Sequence, residues 1–174
     1  MNIAVIGTGM VGRLIAVELS KKYQVYAIDN NKSNLDKLRK NNAKIITKKI
    51  DVKNEDFLKS LDDTDLIVNC VPGFMGFETS KKILEKKTCV DISFMPEDCN
   101  YLKTVAENAN TALYPDAGVA PGLSNMIVGN LISKNKLKEV KIMVGGLPLE
   151  KNPPWNYKAP FSPIDVIEEY TRPA

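Results

Sequence analysis

Asn2-Ile3-Ala4-Val5-Ile6-Gly7-Thr8-Gly9-Met10-Val11-Gly12 opens the chain, a short apolar run followed at once by G-x-G-x-x-G. Helical spacing continues through Val11, Leu14, Ile15, Val17 and Leu19. Glycines fall into this pattern often by chance, and a strand before it with a helix after it is the context that gives it meaning. Gly7 permits a tight turn, Gly9 lets the backbone approach a pyrophosphate, and Gly12 allows close helix–strand packing. The unpaired N–H groups of Met10 and Val11 at the helix start, next to Thr8, favour phosphate charge. Asp29 ends the next apolar run (24–28), 22 residues after Gly7. From there a carboxylate accepts hydrogen bonds from an adenosine ribose and repels a 2′-phosphate, with Asn30 beside it. The plain alternative is a glycine turn without ligand and an Asp29 that caps a loop. The motif in its context points to a nicotinamide dinucleotide, NAD rather than NADP, with Lys32 as a nearby cation that argues the other way.

Outward from this turn, apolar runs and helical stretches alternate. Strands are expected at 44–50, 66–70, 88–92 and 111–114, the run at 66–70 having the continuous apolar character of a strand buried on both faces. Helices are expected from a Ser33/Asp36 capping box to about Lys40, from Asn54 through Phe57, Leu58 and Leu61, and over 77–87. Another is expected over 97–108, with Pro96 in its first turn. Six strands with intervening helices predict an α/β, Rossmann-type doubly wound parallel sheet in the order 3-2-1-4-5-6. After Tyr114 the character changes: a loop at 116–122, a helix at 123–133, a strand at 140–144 and a last helix at 164–170. One strand and two helices cannot close a core of their own. The reading is therefore an NAD-binding domain at 1–120 and the beginning of an incomplete α+β substrate or dimerisation domain at 121–174.

Composition narrows the function class. The 174 residues are 44% hydrophobic and 26% charged, an ordinary globular balance. A net charge of +3 from 24 basic and 21 acidic residues is too balanced to argue for nucleic acid or an anionic membrane surface. No apolar run approaches the roughly 20 residues of a bilayer span, and the N-terminus lacks a signal-peptide pattern. Three cysteines and no histidine exclude a Ser-His-Asp or Cys-His catalytic group and a His-ligated zinc within this sequence, so no metal site is expected. Reduced thiols fit a cytoplasmic protein.

Ligands of parallel sheets sit at the carboxyl ends of the strands. Asp51 and Val52 after strand three are candidates near adenine. Cys70, Val71 and Pro72 after strand four are candidates near the nicotinamide ribose, with Asp91 and Ser93 after strand five. Pro72-Gly73 fits a plain turn as well as a cofactor contact. Cys70 and Cys89 read as small core residues rather than nucleophiles.

Asp91-Ile92-Ser93-Phe94-Met95-Pro96-Glu97, Asp116-Ala117-Gly118-Val119-Ala120-Pro121-Gly122-Leu123-Ser124-Asn125 and Val144-Gly145-Gly146-Leu147-Pro148 resemble the saccharopine dehydrogenase superfamily. Val71-Pro72-Gly73-Phe74-Met75-Gly76-Phe77 and the stretch from Ser162-Pro163-Ile164 to Thr171-Arg172-Pro173-Ala174 resemble its lysine 6-dehydrogenase branch. The resemblance implies NAD-dependent oxidation of the ε-amine carbon of L-lysine, with release of ammonia and cyclisation of the aldehyde to a piperideine carboxylate. It also implies a homodimer for the full-length form. Members continue past the Thr-Arg-Pro-Ala stretch, so a truncated form that binds cofactor without turning over lysine is expected. An ammonium of ordinary pKa about 10.4 must lose a proton before hydride leaves. Asp116 is the candidate to hold that amine or relay its proton, and capping the turn at Ala117-Gly118 is an equal reading. Pro121-Gly122 opens a helix that could receive the substrate carboxylate or simply start there. Trp155, Tyr157 and Phe161 line a substrate domain or form core. Two other functions share parts of the pattern. A saccharopine-forming NADPH reductase is disfavoured by Asp29. A nucleotide-sensing module without catalysis leaves 116–125 and 145–148 unexplained.

Overall fold

The first strand alternates its side chains between two cores, and everything else in the N-terminal unit follows from that division. In the computed structural model, which describes residues 1–145, 148–154, 156 and 163–171, β1 (Asn2–Ile6) turns Ile3 and Val5 to one face and Ala4 and Ile6 to the other. All four are at most 1% exposed. On the first face lie α1 (Met10–Leu19), through Ala16, and α2 (Lys32–Asn41), through Leu35 and Leu38, with Val25 and Ala27 of β2 (Gln24–Asp29) beneath them. The second face packs Ile67 of β4 (Leu66–Asn69), Ile83 and Leu84 of α3 (Gly73–Leu84), and Phe57, Leu61 and Leu102. Each fully buried Ile, Leu or Phe side chain stabilises this arrangement by about 1.5–3 kcal/mol relative to exposure. Strands covered on both faces read as continuous apolar runs for this reason.

The six strands pair in the order β3-β2-β1-β4-β5-β6, with β3 at Ile46–Lys49, β5 at Thr88–Asp91 and β6 at Leu113–Tyr114. Every pair is parallel, with Ile6 level with Ile28 on one side and Asn69 on the other. This is the doubly wound sheet the sequence predicts, in the predicted order. The order reverses between β1 and β4, where the Gly7–Gly12 turn leaves the sheet.

Local chemistry moves several boundaries. Asn31, not Ser33, caps α2: its side chain accepts the Ser33 N–H at 2.9 Å. The expected helix after Asn54 is two tight 3₁₀ turns, Glu55–Phe57 and Lys59–Leu61. Ser60 and Thr64 hydroxyls donate back to the Phe57 and Leu61 carbonyls there at 2.6 Å, competing with a continuous helix. α3 starts at Gly73, before the expected Phe77. Asp98 caps a 3₁₀ turn at Cys99–Leu102 that leads into α4 (Lys103–Ala109), so Pro96 stays outside the helix.

The chain divides into two compact units, Met1–Ala117 and Gly118–Ala174. The second contains α5 (Leu123–Ile132) and α6 (Pro163–Thr171). Residues 140–144 are not a strand: the segment is irregular and exposed, because among the described residues no strand of its unit pairs with it. Trp155, Tyr157 and Phe161 lie outside the described residues. No described helix is long and apolar enough to cross a membrane.

Candidate dinucleotide site

Gly7 leaves β1 with φ +84, its N–H still bonded to the Ile28 carbonyl at 2.8 Å. A Cβ there would stand 2.7 Å from the Cys70 carbonyl oxygen, so both backbone sign and space demand glycine. A Cβ on Gly12 would collide with the Gly7 carbonyl oxygen and press on the Cys70 side chain. Gly12 therefore lets α1 lie directly on the turn and the end of β4. Gly9 differs from both, since a Cβ there would meet nothing within 4 Å. The space above Gly9 is open, it is the N-cap of α1, no side chain caps it, and the first turn carries no acidic residue. Uncapped N–H groups facing open space, with the positive end of the helix dipole behind them, suit a pyrophosphate. The residues present fit a dinucleotide.

Thr8 is 1% exposed and donates twice to one carboxylate oxygen of Asp29, from its N–H at 2.7 Å and its hydroxyl at 2.8 Å. Asn34 Nδ2 reaches the same oxygen at 3.3 Å, while Oδ1 accepts the Asn31 N–H at 2.7 Å. The Gly-rich turn, the end of β2 and the start of α2 thus meet on one carboxylate. Oδ2 is crowded, and Oδ1, with a single donor, keeps acceptor capacity. Nearby, Asn30 donates to Asp51 at 3.3 Å, and the Lys53 N–H donates to Asp51 Oδ1 at 2.9 Å. The Lys53 N–H, followed by Asn30, holds the Asp51 carboxyl below its ordinary value. The Val52 carbonyl accepts from Lys82 at 3.1 Å.

On the other side of β1 the site residues are mostly internal. Cys70 donates its N–H to the Ile6 carbonyl, Val71 is buried, and Pro72 is the N-cap residue of α3. Burial, then the negative charge of Asp91, pushes the Cys70 thiol up to about 12, and burial does the same to Cys89. Both belong to the core, and neither is a ready nucleophile. Asp91 is 1% exposed. One of its oxygens accepts from Asn69 Nδ2 at 2.8 Å and Ser80 Oγ at 2.7 Å. The other accepts from the Ser93 N–H at 2.8 Å and the Ser93 hydroxyl at 2.7 Å. Four donors fill the carboxylate's lone-pair positions. Asp91 and Ser93, expected from the sequence at the cofactor, are occupied with each other in the structure. Asn69 and Ser80 carry no motif, and sequence reasoning missed them. The one signal was Gly73-Phe74-Met75-Gly76, whose glycines bring α3 against Ser93 and Phe94. Asp116 follows β6, exposed, at φ +51, a conformation that Asp tolerates better than most residues. Among the described residues no cluster of His, Cys, Asp or Glu could hold a metal ion.

The saccharopine dehydrogenase NADP binding domain matches residues 3–120, and the saccharopine dehydrogenase C-terminal domain matches residues 118–174. The chain belongs to the saccharopine dehydrogenase family. Family membership makes it part of an oxidoreductase lineage that uses a nicotinamide dinucleotide. An alpha-aminoadipic semialdehyde synthase of Arabidopsis thaliana is 27% identical over 135 residues, 72% of this chain and 13% of that protein. The mitochondrial enzyme of the same name from Rattus norvegicus is 25% identical over 190 residues, 99% of this chain and 20% of that protein. The chain thus spans a fifth or less of the length of these relatives. Among solved structures, apo saccharopine dehydrogenase (L-Glu forming) from Saccharomyces cerevisiae superimposes with a TM-score of 0.66 at 21% identity. That match covers 76% of this chain and 31% of the yeast enzyme and shares the Rossmann-like fold.

Proposed function

We propose that this saccharopine dehydrogenase family chain binds NAD(H) in preference to NADP(H), in the service of oxidising the ε-amine carbon of L-lysine. The observation that carries the cofactor choice is the Asp29 carboxylate, fixed by Thr8 and Asn31 beside the Gly-rich turn with acceptor capacity left on Oδ1. Ribose hydroxyls are donors and suit that oxygen; a 2′-phosphate adds charge of the same sign and is repelled. The match of residues 3–120 to an NADP binding domain supports the opposite choice and the saccharopine-forming NADPH reductase as a second reading. Titration of NADH and NADPH fluorescence decides between them. Tighter NADH binding, with the gap narrowed in Asp29→Ser, is the expected result, and equal affinities in the unmodified chain would defeat the assignment.

The lysine reading draws support from the names of the relatives. Replacing the ε-CH₂–NH₃⁺ of lysine by an aldehyde gives the semialdehyde of α-aminoadipic acid. In a balanced reaction, lysine, NAD⁺ and water yield the semialdehyde, ammonia, NADH and a proton. The dinucleotide supplies the hydride acceptor. Within this chain, Gly9 and the start of α1 bind the phosphates, Asp29 orients the adenosine ribose, and Asp51 and Val52 flank the adenine. The end of β4 (Cys70, Val71, Pro72) shapes the nicotinamide side. Asp116, beyond β6, holds the ε-amine or relays its proton. Asp116→Asn should lower lysine-dependent NADH formation in the intact enzyme while NADH affinity stays unchanged; full activity in that variant would remove Asp116 from the reaction.

A further inference from the structure

A dinucleotide-binding sheet is built from two mononucleotide halves, one on β1 to β3 and one on β4 to β6. In the first half the binding turn and the ribose carboxylate share direct bonds. The second half has a carboxylate at the matching strand end, but it is buried. Its four bonds come from three separate pieces of chain: Asn69 at the end of β4, Ser80 on α3, and Ser93 in the turn after β5. Gly73 and Gly76 seat α3 against that same turn. A Cβ on Gly73 would stand 3.0 Å from the Phe94 carbonyl oxygen, and one on Gly76 would strike the Ser93 hydroxyl. Phe94 itself is held at φ +58. The Asn69 amide faces Asp91, Ser80 and the Gly76 carbonyl with its nitrogen, which leaves its buried Oδ1 without a hydrogen-bond partner. Flipping the amide would set that oxygen against the Asp91 carboxylate, so the orphan persists because Asp91 dictates the orientation. Where only stability is needed, apolar packing does as well as a buried charge. A buried charge that ties three segments and strands a neighbouring acceptor is instead fixing a geometry.

We infer that Asp91 is the positioning residue of the nicotinamide half: it locks the end of β4, the body of α3 and the turn after β5 into one wall, and so sets the affinity for the nicotinamide end of the dinucleotide without touching it. This rests on the reading of the chain as NAD(H)-binding.

The test uses the 174-residue chain and three variants, Asp91→Asn, Ser80→Ala, and the exchange Asn69→Asp with Asp91→Asn, which restores a donor facing an acceptor. NADH binding is followed by nicotinamide fluorescence, ADP binding by calorimetry and folding by thermal melting. ADP engages only the first half: the Gly-rich turn, Asp29, and Asp51 and Val52 at the adenine. Loss of charged hydrogen bonds should weaken NADH about tenfold in Asp91→Asn and about threefold in Ser80→Ala, leave ADP within about twofold, and be largely recovered in the exchange variant. Ser80 is fully buried, so its effect cannot be a lost ligand contact. NADH and ADP weakening together, or unchanged NADH affinity in Ser80→Ala, overturns the inference. If Asp91→Asn fails to fold, the Ser80→Ala result decides. An unmodified chain that binds neither ligand refutes the dinucleotide reading and the inference with it, whereas an intact NADH and ADP response that no variant changes refutes the inference alone.

Discussion

Alanine at Gly12 and alanine at Gly9 should separate stability from binding, although both residues belong to the same turn. A Cβ on Gly12 meets the Gly7 carbonyl oxygen, a backbone atom that cannot rotate away, and the Cys70 Cβ at 3.1 Å behind it. Relief requires α1 to back off the sheet, an overpacking cost of about 3 kcal/mol at the upper end of the usual range. Alanine returns about 1 kcal/mol of helix propensity over glycine, leaving a net loss of about 2 kcal/mol. For a chain of this size that lowers the melting temperature by about 4–8 °C. Gly9 has an ordinary φ of −62 and empty space around the missing Cβ, so alanine there should shift stability by less than about 1 kcal/mol. Its methyl group instead occupies the volume proposed for the pyrophosphate, and NADH affinity should fall at least tenfold, about 1.4 kcal/mol. Thermal melting without ligand and NADH titration, run on both variants, give four numbers. A Gly12→Ala chain that melts with the parent, or a Gly9→Ala chain that binds NADH as the parent does, would refute the steric argument at that position.

Two further outcomes follow from the ionisable groups. With their thiols pushed up to about 12, Cys70 and Cys89 hold only about one thiolate in ten thousand at pH 8. Iodoacetamide should therefore modify the half-buried Cys99 first, with Cys70 and Cys89 reacting only in denaturant; early labelling of Cys70, read by mass spectrometry, would contradict the core assignment. The Asp51 carboxyl is lowered from its ordinary 3.8 by the Lys53 N–H and Asn30. A depressed folded pKa contributes stability above pH 3.8 that is lost as pH falls through the folded value. Asp51→Asn should accordingly flatten the acid limb of a melting-temperature profile below about pH 4, and an unchanged acid limb would show that the local bonds carry no net linkage.

Much of the fold can be read from the sequence because each strand carries its own evidence. Ile3 to Ile6, and Leu66 to Val68, are apolar without interruption since both faces are covered, and the connections are long enough for crossovers. The Gly-rich turn was equally legible, because its requirements are local: a positive φ at Gly7 and a collision at Gly12. The buried network around Asp91 was not. Its bonds join residues 11 and 22 positions apart, and no periodicity links Asn69, Ser80 and Asp91. Residues 140–144 mislead in the opposite direction. Val140, Ile142 and Val144 alternate as a strand should, yet β propensity needs a neighbour to become a strand. At Asn31 the local competition between two capping residues, invisible in the pattern, shifted the start of α2.

The two hydrogen bonds from Thr8 to Asp29 bear on any attempt to re-engineer the proposed cofactor preference. Exchanging the acidic residue alone, the usual first step, strands an N–H and a hydroxyl on a residue with 1% of its surface exposed. Each stranded donor costs about 1–3 kcal/mol, taken from the very turn proposed to receive the phosphates. A redesign toward NADP thus has to treat residues 8 and 29 as a single unit of heredity, replacing both together or supplying Thr8 with a new acceptor before the carboxylate is removed.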